Sequence, residues 1–352
     1  MSKKPLLSKL LPLLLLISGA FAHADTVKLV ADHPDRYVVI RGDTLWDISA
    51  RFLEDPWMWP QIWHINPEIS NPHLIYPGDI IRLEFVDGKP VLRLERPGGN
   101  DLRTVKLSPT ARTTVIDSAI PTIPMDAIGQ FLKYPRVVTE RELDDSPYVV
   151  ASSEDRLISG TGNKIYARGI SDPEITRYDI VRRGEVYRNP ERRGDVLGYE
   201  AIHVGYATVI RAGDPATLII DQSEREVLAG DRLLPVAEEE IGQYFLPRAP
   251  KENVEGRILS VLDGLARIGQ YQVIAVSRGA SEGLEPGHVL AVHQTGELVR
   301  DNFTSRRFDR SVRLPNERAG TVMLIRVFDR ISYALVMEAA RDLRVLDTVT
   351  TP

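Results

Sequence analysis

One short run of the chain reads Tyr37-Val-Val-Ile-Arg-Gly-Asp-Thr-Leu-Trp-Asp-Ile-Ser-Ala-Arg-Phe52. Its β-branched beginning predicts a strand, and Arg41-Gly42-Asp43 supplies the chemistry of a turn directly after it. Thr44, followed three residues later by Asp47, has the spacing of a capping box at the start of a helix. The run therefore predicts a strand, a tight turn and a helix in that order.

The residues that follow continue the same small unit. Apolar side chains recur at helical spacing twice, which predicts a first helix of about ten residues ending before Pro56 and a second helix ending at Asn66-Pro67. These apolar residues are Leu45, Ile48 and Phe52 in the first helix and Trp59, Ile62 and Trp63 in the second. A Pro77-Gly78 turn then precedes a closing strand over Ile80 to Leu83. The predicted order is strand, helix, helix, strand.

Composition marks this stretch as a domain within a longer chain. All four tryptophans of the 352 residues, Trp46, Trp57, Trp59 and Trp63, lie between Tyr37 and Leu83. Apolar residues make up 43% and charged residues 26% of the chain, which is typical of a folded globular protein and argues against a multi-span membrane protein. At about 150 residues per domain, the length predicts two or three domains.

The first 24 residues have the three parts of a secretory signal. Lys3, Lys4 and Lys9 precede the apolar run Leu10 to Ile17, and Ala22-His23-Ala24 resembles a cleavage site. We expect cleavage after Ala24 and a mature protein in the periplasm. Removing three lysines and no carboxylates would move the formal net charge from −5 to −8, which argues against nonspecific binding to nucleic acid. The absence of cysteine excludes a disulfide framework.

The remainder of the chain is read as a connector followed by two β modules. Residues 84–122 are predicted to form an extended connector, and Met125 to Leu132 a short helix. The β modules are expected over 137–240 and 254–352 because Gly205 to Arg211 matches Gly320 to Arg326, at an offset of about 115 residues. Asp231 and Asp347 follow at equivalent places. Internal duplication is the simplest explanation, and coincidence between two β-rich segments is the alternative.

The tryptophan-rich unit resembles a LysM module over residues 37–83. The resemblance rests on the opening strand, Gly42-Asp-Thr-Leu45, the central Asn66 and the Pro77-Gly78 turn, in that order. It implies a βααβ fold that binds N-acetylglucosamine-containing glycans such as peptidoglycan, and it makes the whole chain a multidomain α+β protein. The chain departs from the usual pattern around Asp55 to Pro60 and Glu68 to His73, where additional residues lengthen the loops.

The LysM resemblance also implies where a glycan would bind, in a shallow groove between two loops. Carried over by position, the glycan-binding residues are Gly42, Asp43, Thr44 and Leu45 in one loop and Leu74, Ile75, Tyr76 and Pro77 in the other. Glycine lets the sugar approach the backbone, whose N–H and C=O groups can bind an acetamido group. Helix capping is the alternative role of Asp43 and Thr44, and Trp57 and Trp59 could serve either as a sugar platform or as core.

The order of the parts resembles the TsaP family, peptidoglycan-binding proteins associated with the secretin of type IV pili. Shared features are the signal segment, one LysM module, a connector and a long β-rich region, which loosely resembles the FlgT-type carboxyl domain. The resemblance implies an adaptor that links an outer-membrane secretin to the cell wall.

The sequence contains few features that indicate a catalytic site. Without cysteine there is no thiolate nucleophile, and no H-E-x-x-H metal motif, G-x-S-x-G elbow or phosphate-binding glycine loop occurs. We therefore expect no catalytic residues, metal or cofactor. A LysM-targeted peptidoglycan hydrolase stays open as the alternative, because 49 acidic residues could conceal a catalytic carboxylate pair.

Overall fold

The structure is a computed structural model that describes residues 27–63, 75–96, 119–124, 129, 136–153, 158–236, 245–262, 268–300 and 311–352. The predicted signal segment, Asn66-Pro67, Leu74 and all but one residue of the predicted 125–132 helix lie outside these ranges. Within the described ranges, no helix has the length and apolar character needed to span a membrane.

The tryptophan-rich N-terminal unit, taken here as the described part of residues 27–96, has the predicted order of strand, helix, helix and strand. Its elements are β1 (Arg36–Val38), α1 (Leu45–Ser49), a 3₁₀ turn (Pro56–Met58), α2 (Trp59–Trp63), β2 (Ile80–Val86) and β3 (Lys89–Glu95). β1 and β3 pair antiparallel with the two edges of β2, which gives a three-stranded sheet. Apolar side chains of the helices pack on this sheet and form a buried core.

The first helix is shorter than the spacing of its apolar residues predicts. α1 ends at Ser49, and Pro56 begins the 3₁₀ turn instead of following the helix. The cause is tertiary: Val30 N–H donates to the carbonyl of Phe52 at 2.9 Å, and Glu54 N–H donates to the carbonyl of Lys28 at 3.0 Å. Pairing with the N-terminal segment therefore draws Phe52 to Glu54 out of the helix.

The prediction that residues 84–122 form an extended connector is wrong at both ends. β2 continues to Val86, and β3 pairs with it through a two-residue turn at Asp87-Gly88, both at positive φ. An Asp-Gly pair favours this hairpin turn, and the signal was missed. At the other end, Ile120 and Ile123 are buried against the N-terminal unit.

The chain next forms a first barrel. Its elements are β4 (Arg136–Val138), α3 (Glu140–Asp145), β5 (Tyr148–Ser152), β6 (Lys164–Arg168), β7 (Arg177–Arg188), β8 (Val196–Arg211), β9 (Ala216–Ser223) and β10 (Arg232–Pro235). Six strands close on themselves in the order β5-β6-β9-β8-β7-β10, and β4 pairs with β8 outside this closure.

A second barrel follows. Its strands are β11 (Glu255–Val261), β12 (Val273–Val276), β13 (Val289–Gln294), β14 (Leu298–Arg300), β15 (Ser311–Arg313), β16 (Glu317–Val327), β17 (Ser332–Ala339) and β18 (Thr348–Thr350). Six of them close in the order β11-β12-β17-β16-β13-β18, and β14 pairs with β15 as a separate hairpin.

The two barrels share details beyond strand order. The β8–β9 pair and the β16–β17 pair each carry two register shifts, at equivalent places in the matched sequences. Gly205 and Gly320 sit at the first of these, where a Cβ would collide with the carbonyl oxygens of Gln222 and Glu338 respectively. Asp231 and Asp347 each accept a bond from the backbone N–H three residues earlier, at 2.8 Å. These details support the proposed duplication.

The second barrel is buried on both faces of several strands, because the N-terminal unit covers part of it. Inward residues such as Ile274 and Leu324 form one core, whereas outward residues such as Met323 and Leu335 share a continuous core with the tryptophan-rich unit. Two polar contacts join the same parts. Tyr271 donates its hydroxyl to Asp47 at 3.0 Å, and Arg318 pairs with Asp55 at 3.0 Å.

Candidate functional site

Two loops of the N-terminal unit lie side by side. The first loop, Ile40 to Leu45, joins β1 to α1, and the second loop, Ile75 to Asp79, precedes β2. Val39 N–H donates to the carbonyl of Asp79, and Gly78 N–H donates to the carbonyl of Val39, both at 2.8 Å. These bonds fix the spacing of the loops and define a groove between them.

The first loop is held by Asp43. Its Oδ2 accepts the hydroxyl of Tyr37 at 3.0 Å and the N–H of Ile40 at 2.9 Å. Burial and the neighbouring Asp43 carboxylate raise the pKa of Tyr37. Gly42 has φ of +96° and open space around its α-carbon, so this turn favours glycine.

Thr44 caps the first helix, as its spacing predicts. Its Oγ1 accepts the N–H of Asp47 at 3.1 Å and donates to the Asp47 carboxylate at 2.7 Å. Thr44 and Leu45 are buried, so their side chains support the wall of the groove. The backbone N–H groups of Leu45 and Trp46 remain at the helix start without partners inside the helix.

The second loop is held by Asp79. Tyr76 N–H donates to Oδ2 of Asp79 at 3.0 Å, which holds the turn, while Ile75 is fully buried and Tyr76 and Pro77 are half-buried. The structure thus brings together seven of the eight predicted glycan-binding residues, and Leu74 lies outside the described part of the chain. Their contact with sugar stays a prediction.

The segment Ala119 to Pro124, whose first four residues belong to the predicted connector, lies between the two loops. Ile120 N–H donates to the carbonyl of Ile75 at 2.8 Å. On the other side, Leu45 N–H donates to the carbonyl of Pro121 at 3.0 Å and Trp46 N–H to that of Thr122 at 3.2 Å. The alternation Ile-Pro-Thr-Ile-Pro within an otherwise polar stretch is the signal that could have identified it.

The tryptophans form core and not an exposed platform. Trp57 and Trp59 are 5% and 1% exposed, and both belong to the cluster shared with the second barrel. Trp59 meets Trp63 edge to face, with ring centroids 6.4 Å apart. Among the described residues, the indole N–H groups of Trp57, Trp59 and Trp63 have no hydrogen-bond partner. A sugar-stacking role for Trp57 or Trp59 is therefore not supported.

The histidines in the described part of the chain show no metal-binding arrangement. His288 accepts the N–H of Glu285, burial lowers the pKa of His288 and of His293, and His203 lies 2.6 Å from Asp179. Across the described ranges, no three histidine, aspartate or glutamate side chains gather as a metal site.

Comparison with known proteins agrees with this geometry. Residues 37–84 match the family model of the LysM domain, so the N-terminal unit contains a LysM domain. LysM is a binding domain for peptidoglycan and related N-acetylglucosamine polymers, and no catalytic family is indicated.

A curated relative extends the comparison only slightly. The uncharacterized protein YqbP of Bacillus subtilis (strain 168) is 35% identical over 60 residues. The match covers 14% of this chain and 27% of the length of YqbP.

Proposed function

We propose that this chain is a noncatalytic peptidoglycan-binding protein of the periplasm, whose LysM groove holds N-acetylglucosamine-containing glycan. The observation that carries the proposal is the pair of adjacent loops in a LysM domain, with backbone donors on one wall and a backbone acceptor on the other. An acetamido group is itself an amide. The N–H groups of Leu45 and Trp46 and the carbonyl of Ile75, which bond peptide groups here, therefore suit the acetamido group of the sugar.

Cosedimentation with purified sacculi tests this function on the mature chain, residues 25–352. We expect the protein to pellet with sacculi and Tyr76→Ala to weaken pelleting, because the half-buried Tyr76 belongs to the second loop of the groove. Tyr166→Ala, at a half-buried tyrosine of the first barrel, is the matched control and should leave pelleting unchanged. If the Tyr76 variant pellets as well as the unmodified chain, the groove is not the glycan-binding site.

We further propose that the barrel region engages an envelope assembly, most specifically the outer-membrane secretin of type IV pili. The support is the order of the parts, with one small wall-binding domain followed by two barrels. Crosslinking in living cells and purification of the mature protein should recover a secretin together with it. Recovery of wall fragments without any secretin would contradict the partner and leave wall binding intact.

The noncatalytic part of the proposal has its own test. Sacculi incubated with the mature protein should release no muropeptides above the level seen with heat-denatured protein. Release that is lost on substitution of one carboxylate would establish the hydrolase alternative instead.

A further inference from the structure

The LysM groove already contains a peptide, the chain's own Ile120 to Ile123. We propose that this segment is an intramolecular ligand of the groove, and that a glycan strand gains access when the segment leaves. The inference rests on the proposed glycan function, since it names what competes for the same site. Three observations carry it: the backbone bonds, the burial of the segment and its sequence.

The backbone bonds use the polar groups that the groove would offer to a sugar. The segment accepts from Leu45 N–H and Trp46 N–H through the carbonyls of Pro121 and Thr122, at 3.0 and 3.2 Å. It donates from Ile120 N–H to the carbonyl of Ile75 at 2.8 Å. A sugar amide and this peptide cannot hold the same donors and acceptor at once, so the two ligands exclude each other.

Burial shows that the segment fills the groove. Ile120 is 4% exposed, Thr122 1% and Ile123 fully buried, and both isoleucines belong to the core cluster of the LysM domain. Leu45 and Ile75, two of the predicted glycan-binding residues, are buried as well.

The sequence of the segment suits a displaceable ligand. Proline fixes its own φ and restricts the preceding residue, so Pro121 and Pro124 narrow the conformations open to the segment before docking. Less conformational freedom is therefore lost on binding. Proline also lacks an N–H, so Pro121 brings no donor that the groove would have to satisfy.

The consequence is a reduced apparent affinity for glycan. The measured dissociation constant rises in inverse proportion to the fraction of time that the groove is free. Occupancy of about 90% would weaken binding about tenfold. Any event that draws residues 119–124 away, such as tension on the chain or a partner of the barrels, would raise affinity for the wall.

Titration of the mature chain with chitohexaose, followed by tryptophan fluorescence, tests the competition. The released variant Ile120→Asp/Ile123→Asp places two charges where the groove buries apolar side chains, and we expect it to bind chitohexaose about tenfold more tightly than the unmodified chain. The matched control is Ile158→Asp/Ile210→Asp, at isoleucines of the first barrel that are 56% and 50% exposed. It should bind like the unmodified chain.

A peptide of residues 119–124, added to the released variant, should compete with chitohexaose. Equal or weaker binding by a released variant that stays folded would overturn the inference while leaving the glycan function in place. If no form of the chain binds chitohexaose but the released variant binds the peptide, the glycan function fails and the peptide site stands.

Hydrogen exchange on the unmodified chain avoids any effect of substitution on folding. Saturating chitohexaose should speed exchange at Ile120 N–H, because the bond to Ile75 breaks when the segment leaves. Unchanged protection of that amide, with fluorescence reporting bound chitohexaose, would overturn the inference.

Discussion

Tyr271 occupies a backbone conformation that glycine holds at the equivalent place in the first barrel. Its φ is +64°, and Gly162 has +81° there. Both residues donate their N–H to equivalent strands of the two barrels, Gly162 to the carbonyl of Ile220 on β9 and Tyr271 to that of Val336 on β17. A non-glycine residue in this region carries strain. The tyrosine hydroxyl donates a hydrogen bond to Asp47 of the LysM domain, and this bond explains why tyrosine stands where the first barrel has glycine.

Removing that hydroxyl should weaken the attachment of the LysM domain. We expect Tyr271→Phe to lower the free energy of unfolding by about 1 kcal/mol, since a hydrogen bond to a carboxylate is lost. Burial and Asp47 raise the pKa of Tyr271 to about 12, so the hydroxyl stays protonated throughout the neutral range. Urea unfolding followed by tryptophan fluorescence checks this.

The control for that variant is Tyr166→Phe, because the Tyr166 hydroxyl makes no hydrogen bond to any described residue. A change in stability as large as that of Tyr271→Phe would show that loss of a phenol, and not of the Asp47 bond, is responsible.

An ion pair between the barrels should make stability depend on pH. Arg330 contacts Asp195 at 2.7 Å, and its hydrogen bonds, with that of Asn189, lower the pKa of Asp195 to about 2. Because the folded pKa lies below the unfolded value near 3.8, the pair stabilises the fold fully above about pH 4. The stabilisation is lost as pH falls toward 2.

Thermal unfolding between pH 2 and 6 measures this contribution. The unmodified chain should lose more Tm on acidification than Asp195→Asn, which no longer titrates at that place. Asp32→Asn is the control, since Asp32 is exposed and makes no ion pair with described residues. If Tm falls equally with pH in the unmodified chain and in Asp195→Asn, the pair of Arg330 and Asp195 is not the source of the pH dependence.

At the scale of elements, β3 is part of the LysM sheet and not of a connector. Leu92 on β3 is 1% exposed, whereas Phe85 on the neighbouring β2 is 60% exposed. We expect Leu92→Ala to cost about 3 kcal/mol of unfolding free energy, because it removes buried methyl groups and leaves a cavity. Phe85→Ala should change stability by less than about 0.5 kcal/mol. Similar effects of the two substitutions on urea unfolding would show that β3 adds nothing to the core.

Local chemistry made the LysM elements predictable from sequence. Thr44 and Asp47 sit one helical turn apart, and their capping contact is confirmed. The end of α1 was wrong because Lys28 to Val30 pairs with the residues that would continue the helix, and such pairing leaves no local signature. The apolar residues of Ile-Pro-Thr-Ile-Pro could have indicated a buried segment at Ile120, but not where it packs. Its partner Ile75 is distant in sequence, so the groove that it fills could not be predicted.

At the scale of the molecule, the LysM domain is packed onto a barrel and does not stand apart. The second barrel presents Met323, Leu335 and other apolar side chains on its outer face, and these lie in the core cluster of the LysM domain. Strands with near-continuous apolar runs are typical of sheets buried on both faces. The apolar composition of these strands therefore explains why the LysM domain packs on the second barrel.

A chain that begins after the LysM domain should expose that outer face. We expect residues 136–352 alone to bind an apolar dye such as anilinonaphthalene sulfonate and to associate at concentrations where the full mature chain does not. Size-exclusion chromatography and dye fluorescence measure both effects. A monomeric, dye-negative fragment would contradict the packing of the LysM domain on the second barrel.

One groove should bind both the wall glycan and the chain's own Ile120 to Ile123. Cosedimentation with sacculi measures this for the mature chain, Tyr76→Ala and Ile120→Asp/Ile123→Asp side by side. We expect the bound fraction to rise from the Tyr76 variant, through the unmodified chain, to the released variant. Equal bound fractions for all three folded proteins would show that glycan and segment do not share the groove.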